Sequence, residues 1–96
     1  MAHAKQFYVV AYDVSDDKRR GKVVKVLQRC GKRINLSVFE CMLTEAQYRD
    51  MKNRLLDVCD RKKDHILIYP LCLNCFSKIE NIAGNLSVTE ETIAIV

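Results

Sequence analysis

The stretch Phe7-Tyr8-Val9-Val10-Ala11-Tyr12-Asp13-Val14-Ser15-Asp16-Asp17-Lys18-Arg19-Arg20 passes from strand to helix within a few residues. Its apolar start reads as a buried strand, from 7 to 12 or 13. Asp13 closes that strand. Ser15 is placed as the N-cap of a following helix, and Asp16 and Asp17 suit the positive end of its dipole. Three acids are therefore followed at once by three bases, Lys18, Arg19 and Arg20. Strand ends in α/β layers collect chemistry, because the backbone turns there and side chains reach solvent. Carboxylates at such a point could hold a hard divalent cation. The bases behind them could hold the phosphates that cation acts on.

The helix is expected over residues 16–30, ended by Gly31. At about 100° per residue, Val23, Val24, Leu27 and Cys30 form one face. Lys18, Lys22, Lys25, Arg29 and Lys32 fall on the opposite side. Arg20 lies on the apolar side of the first turn, so it is expected to point back toward Asp13. The acids divide as well. Asp16 and Asp17 read as helix-start residues, and Asp13 alone is the site candidate.

Outward from this junction, residues 33–43 are long for one strand, and Asn35 and Ser37 offer turn chemistry. We divide them into a short strand, a tight turn and a second strand over 38–42. Thr44-Glu45-Ala46-Gln47 is a capping box, opening a helix with Tyr48, Met51, Leu55, Val58 and Cys59 at helical spacing. Arg61-Lys62-Lys63-Asp64 reads as a solvated turn. Residues 65–71 form a strand in which Pro70 argues for a sheet edge. Another short strand is expected over 76–82, then a turn at 83–85 and a terminal β-run over 92–96. The order β-α-β-β-α-β with an extra C-terminal strand is a ferredoxin-like α/β (α+β) sandwich, a single domain over residues 1–96. The first strand is apolar on both faces, and helices cover only one. A second subunit is the simplest cover for the other. The last strand either pairs at home or adds to the edge of a partner's sheet, so residues 84–96 are assigned to pairing with the partner subunit.

Composition limits the classes. The chain has 96 residues, 49% hydrophobic, with one proline and three glycines, which speaks against disorder. No apolar run approaches the roughly 20 residues of a membrane span, and the first six residues are too short for a signal peptide, so a cytoplasmic protein without a membrane partner is expected. Five cysteines, an odd number, are not a disulfide framework. Cys30, Cys41 and Cys59 sit in apolar patterns as small core residues. Cys72-Leu73-Asn74-Cys75 is a lone CxxC. It lacks the second pair a structural zinc needs. Strand residues are expected on both sides of it, whereas redox dithiols sit between a strand and a helix start. A structural role is therefore assigned to it. His3 is terminal and His65 is expected exposed.

The net charge of +4 is modest, but its distribution is not: residues 18–33 hold eight of the sixteen basic side chains and no acid. Ordinary surfaces mix both signs. The stripe Lys18, Lys22, Lys25, Arg29, with Arg33 beyond it, therefore reads as a polyanion surface, and phosphate contacts of that kind position a backbone without reading sequence. There is no Walker-type loop and no Ser–His–Asp or Cys–His arrangement. Tyr8, Tyr12 and Phe39 could imitate the paired aromatics of RNA-binding ferredoxin-like domains, although no RNP-like sequence surrounds them.

Residues 7–20, together with Arg33-Ile34-Asn35-Leu36-Ser37-Val38-Phe39-Glu40-Cys41, the strand at 65–71 and the closing Ile-Ala-Ile-Val, resemble the CRISPR-associated protein two family over nearly the whole chain. The resemblance implies a ferredoxin-like homodimer acting in CRISPR spacer acquisition with the integrase subunit of its system. Some members are similar to metal-dependent nucleases on single-stranded RNA or duplex DNA; in others the aspartate is dispensable and the protein is a scaffold. Carried over, Asp13 matches the metal-binding aspartate, Tyr12 the residue before it and Arg20 a functional first-turn arginine. Arg33 and Phe39 match positions around the second motif. Lys22 stands where a second arginine can occur, and lysine lacks the bidentate fork. Leu36 stands where an aromatic is frequent, which weakens base stacking there.

Two mechanisms follow. In the first, the Asp13 carboxylates of two protomers share one Mg²⁺ or Mn²⁺ and Arg20 steadies the developing charge, giving an endoribonuclease or endodeoxyribonuclease. In the second, a non-catalytic dimer uses its basic helices to hold duplex DNA and bridges integrase subunits. A regulatory dimer that binds neither metal nor nucleic acid is disfavoured by the acid-free basic face.

Overall fold

A computed structural model describes residues 4–83. Their elements run β1 Gln6–Asp13, α1 Asp17–Gln28, β2 Gly31–Asn35, β3 Val38–Leu43, α2 Glu45–Val58, β4 His65–Leu71 and a single helical turn, α3 Leu73–Phe76. The four strands form one antiparallel sheet ordered β2-β3-β1-β4. This is the ferredoxin-like arrangement. The division of residues 33–43 into two strands holds, and Thr44 and Gln47 close the expected capping box. The expected C-terminal strand and the turn at 83–85 extend outside the described residues. No described helix is long and apolar enough to cross a membrane.

Alternation decides which side of β1 is core. Tyr8, Val10 and Tyr12 lie under the helices with Phe39, Cys41 and Leu43 of β3. Val23 and Leu27 of α1 and Met51 and Leu55 of α2 close the core from above. The opposite face carries Phe7, Val9 and Ala11, with Leu71, Tyr69 and Leu67 as their β4 partners. Leu67 and Tyr69 are 55% and 52% exposed. A half-covered apolar sheet face is therefore present, as the two-faced strand pattern requires.

Four local expectations are corrected. The N-cap of α1 is Asp16, not Ser15: the Asp16 carboxylate accepts the Arg19 N–H at 2.9 Å, and Asp outcompetes Ser when it sits one residue nearer the first turn. Gly31 does not end α1, which is capped at Arg29. Instead Gly31 opens β2 opposite Cys41, where a Cβ would stand 2.0 Å from the Glu40 carbonyl oxygen. The residues after β4 form α3 rather than a strand over 76–82. Phe76 is buried against Phe7 with ring centroids 5.1 Å apart, and that one anchor holds a helical turn. The turn before β4 is not wholly solvated, since Asp64 is buried.

Gly21 and Gly31 give a paired test. Nothing lies within 4 Å of a Cβ at Gly21, so Gly21→Ala is expected to stabilise by about 0.5–1 kcal/mol through helix propensity. Gly31→Ala is expected to cost at least about 1–3 kcal/mol through backbone displacement of β2. Urea unfolding of the two variants measures both; a neutral Gly31→Ala would show that β2 can move off β3 freely.

Candidate functional site

The junction of β1 and α1 opens a cleft of about 600 Å³. Tyr12, Asp13, Arg20, Arg33 and Leu36 line it. Four of the residues singled out in the sequence are thus brought together. Asp13 comes from the last position of β1 and is exposed. Its carboxylate makes no hydrogen bond or ion pair with the described residues. In the β1–β4 register it stands opposite His65, on the face away from α1 and α2.

Arg33 reaches the cleft from β2. Its Nη2 donates to the Leu36 carbonyl at 2.6 Å and to the Tyr12 hydroxyl at 3.5 Å. The Tyr12 hydroxyl in turn donates to the same carbonyl at 2.8 Å. The β2–β3 turn is thereby tied to the end of β1.

Arg20 departs from the expectation that it points to Asp13. Its Nη1 donates to the Val14 carbonyl at 3.0 Å, and its Nη2 pairs with Asp17. A carboxylate three residues back on the same helical turn, and strand-end carbonyls that α1 leaves unused, are nearer partners than the strand face. Arg20 still borders the cleft, half-exposed, and its pair with Asp17 faces solvent.

Tyr12 and Phe39 are buried, with ring centroids 6.3 Å apart. Tyr8 is buried too and stacks on Tyr48 at 4.6 Å. All three lie on the helix-covered side, so no aromatic platform for bases exists there. Only the Tyr12 hydroxyl reaches the cleft rim.

The three-acid cluster also dissolves. Asp16 is held by the Arg19 N–H, which keeps its carboxyl below the ordinary range, and Asp17 is taken by Arg20. Among the described residues no group of three His, Cys, Asp or Glu side chains could hold a metal. Asp13 remains the single unpaired carboxylate at the cleft among the described residues. That fits a cation such as Mg²⁺, which keeps most of its waters, only when a second carboxylate comes from another molecule.

The stripe lies beside this cleft. Lys18, Lys22, Lys25 and Arg29 are all exposed along α1. Lys22, Lys25 and Arg29 join Arg54 of α2 around a groove of about 210 Å³. Lys32 lies on β2, half-buried, rather than continuing the helical row.

Sequence reasoning missed Arg19 and Asp64. Arg19 Nε and Nη2 donate to the two oxygens of Asp64 at 2.9 and 3.1 Å. The Asp64 side chain is 1% exposed. Asp64 also accepts the Asp60 N–H at 2.7 Å. This fork pins the first turn of α1 to the residue before β4, beside the end of β1 that carries Asp13. The Arg19 guanidinium, and next the Asp60 N–H, keep the Asp64 carboxyl below the usual carboxylate range.

A depressed carboxyl stabilises the fold above the unfolded value, near about 3.9, and loses that contribution as pH falls through the folded value. Asp64→Asn is therefore expected to lower Tm by about 5–15 °C at neutral pH. The gap from the parent should narrow as pH drops below about 4. Thermal melts across that range check this, and a gap independent of pH would remove the ion pair as its cause.

Three comparisons bear on this geometry. The family model described as CRISPR associated protein Cas2 matches residues 6–79. The chain is 43% identical over 77 residues to "CRISPR-associated endoribonuclease Cas2 1" of Chloroflexus aurantiacus, covering 77% of this chain and 81% of that protein. It is 43% identical over 67 residues to "CRISPR-associated endonuclease Cas2 2" of Thermus thermophilus, covering 70% and 74%. A chain in a solved partial Cas6-RT-Cas1–Cas2 complex superposes with a TM-score of 0.69 at 26% identity, covering 83% of this chain and 93% of that one.

Proposed function

The chain belongs to the CRISPR associated protein Cas2 family, and from that premise we propose that it acts in CRISPR spacer acquisition as a homodimeric, metal-dependent endonuclease on single-stranded RNA or duplex DNA. The observation that carries this is the cleft at the end of β1, lined by the unpaired Asp13 together with Arg33 and Arg20, beside a basic stretch, residues 18–33, that holds no acid. The relatives' endoribonuclease and endonuclease names support the reaction class.

The sheet supports dimerisation. Val9, Ala11, Leu67 and Tyr69 lie on an apolar face that α1 and α2 do not cover. Glu40, on the same face opposite Val9, has a buried Oε1 with no hydrogen-bond partner among the described residues. A second copy covers the apolar area and can supply a donor. Pairing through this face brings both Asp13 carboxylates to one interface. Residues 84–96, outside the described residues, are proposed to pair with the partner's sheet; among the described residues no strand lies beyond β4 in the order β2-β3-β1-β4.

In the mechanism, the Asp13 carboxylates of two protomers would hold one Mg²⁺ or Mn²⁺. When bound, that ion would supply Lewis-acid polarisation of a phosphate and a lowered pKa for the attacking water. Arg33 and Arg20 hold non-bridging phosphate oxygens and steady the charge that develops there. Lys18, Lys22, Lys25 and Arg29 track the flanking backbone. Arg33 is oriented for this by the Leu36 carbonyl and Tyr12 hydroxyl it already contacts.

A second reading is favoured by the poverty of the ligand set: Asp13 is the one carboxylate lining the cleft, and no cluster of three ligating side chains exists among the described residues. In it the dimer is a duplex-binding scaffold that bridges integrase subunits; the superposition on a chain of a Cas1–Cas2 complex supports an integrase partner in either case. The test is cleavage of single-stranded RNA and of duplex DNA with Mg²⁺ or Mn²⁺ against chelator. Cleavage only with metal supports the nuclease. Salt-sensitive duplex binding without cleavage supports the scaffold and overturns the nuclease.

A further inference from the structure

The CxxC after β4 lies outside the cleft and has no part in the proposed chemistry. A strand was expected on each side of it. The structure places it instead between strand β4 and the helical turn α3, with Cys72 as the N-cap and Cys75 within the turn. This is the setting in which paired cysteines exchange with disulfides. Both thiols are exposed, whereas Cys41 is buried and Cys30 and Cys59 are half-buried. The Cys72 sulfur accepts the Cys75 N–H at 3.4 Å. Cys72 is the N-cap and Cys75 the third residue of the turn, the Cys-X-X-Cys spacing at which a disulfide closes in redox motifs. Cys72 also borders a cavity of about 340 Å³ with Phe7, Met42 and Phe76, so a small thiol has room beside it.

We propose that Cys72 and Cys75 form a redox-active dithiol that exchanges with small-molecule disulfides of the glutathione type. Cys72 is the attacking group and Cys75 the resolving one. The Cys72 thiolate attacks one sulfur of the external disulfide, forming a mixed disulfide and releasing one thiolate, which takes up the proton lost from Cys72. The Cys75 thiol then gives up its proton and attacks the Cys72 sulfur, closing the internal disulfide and releasing the second external thiol. The dithiol is oxidised by two electrons and the external disulfide is reduced to two thiols.

The division of labour rests on the same geometry. The Cys75 N–H and the Cys75 thiol, both directed at the Cys72 sulfur, lower the Cys72 pKa, and donating to that sulfur raises the Cys75 pKa. Burial pushes Cys41 up to about 12 and also raises Cys30, which keeps those thiols out of the exchange.

The test uses the reduced, full-length protein. Brief alkylation at neutral pH with peptide mapping is expected to modify Cys72 about tenfold faster than Cys75. In glutathione buffers of stepped oxidised-to-reduced ratio, an internal Cys72–Cys75 disulfide should accumulate and revert with excess reductant. Cys75→Ser should trap glutathione on Cys72, and Cys72→Ser should leave Cys75 unmodified under the same conditions. Equal alkylation of the two thiols, or glutathione on both without an internal bond, would overturn the proposal. Because both side chains are exposed, the variants should keep the parent's circular dichroism, and the wild-type disulfide measurement stands apart from them.

Discussion

Asp13→Ala is expected to reduce metal-dependent phosphodiester cleavage by about 100- to 1,000-fold, the order that loss of one electrostatic transition-state contact costs. Each dimer loses both carboxylates at once, so no residual half-site remains. The fold should be untouched, since Asp13 is exposed and pairs with none of the described side chains. Its removal should change stability by no more than about 0.5 kcal/mol. Duplex affinity should hold or rise slightly, because a negative charge leaves the phosphate path. The measurement is single-turnover cleavage with Mg²⁺ on both substrates, next to a thermal melt and a binding isotherm. Cleavage that survives in a well-folded Asp13→Ala sinks the metal mechanism and leaves the scaffold reading standing.

The β1–α1 junction was legible because its signals are local. An apolar run, a strand-end acid and a helix-start cluster all lie within fourteen consecutive residues, 7–20. The side chains that depend on distant partners were not. Asp64 sits after Arg61, Lys62 and Lys63, a run that reads as solvent-facing, and its partner Arg19 is 45 residues away. No local pattern announces such a pair. Arg20 was misdirected for the opposite reason: the helical wheel placed it correctly, but nearer acceptors on its own turn took it. Tyr12 and Phe39 were ambiguous because strand alternation gives two faces without saying which one the helices cover. Once α1 and α2 settle on the Tyr8, Val10 and Tyr12 side, those rings become core and Val9, Ala11 and Leu67 become surface. Cys72 changed most. The residues after it were read as strand, and a single buried ring, Phe76, turns them into helix and the CxxC into a strand-to-helix corner.

The second large effect is expected from Lys22, Lys25 and Arg29 changed together to Glu. The substitution moves the chain's formal charge from +4 by six units, 4 − 6 = −2. It also reverses the sign of the groove these residues share with Arg54. For B-form DNA each lost phosphate contact lowers the salt slope of binding by about 0.9, so three contacts per protomer remove about 3. At physiological salt the expected loss of duplex affinity is about 100-fold or more. The core-facing residues Val23 and Leu27 are not altered, and unfavourable placement of acids near the end of α1 should cost only a few tenths of a kcal/mol. Net charge alone must be separated from location. Arg61, Lys62 and Lys63 are exposed on the α2–β4 turn, so the same reversal there makes an equal-charge control. If the α1 variant loses affinity and salt slope while the turn variant largely keeps both, α1 is the phosphate-tracking surface. If the two lose equally, the effect is the field of the whole molecule. If neither loses, the stripe is only a solvated face, and both the nuclease and the scaffold are left without a way to hold their substrate.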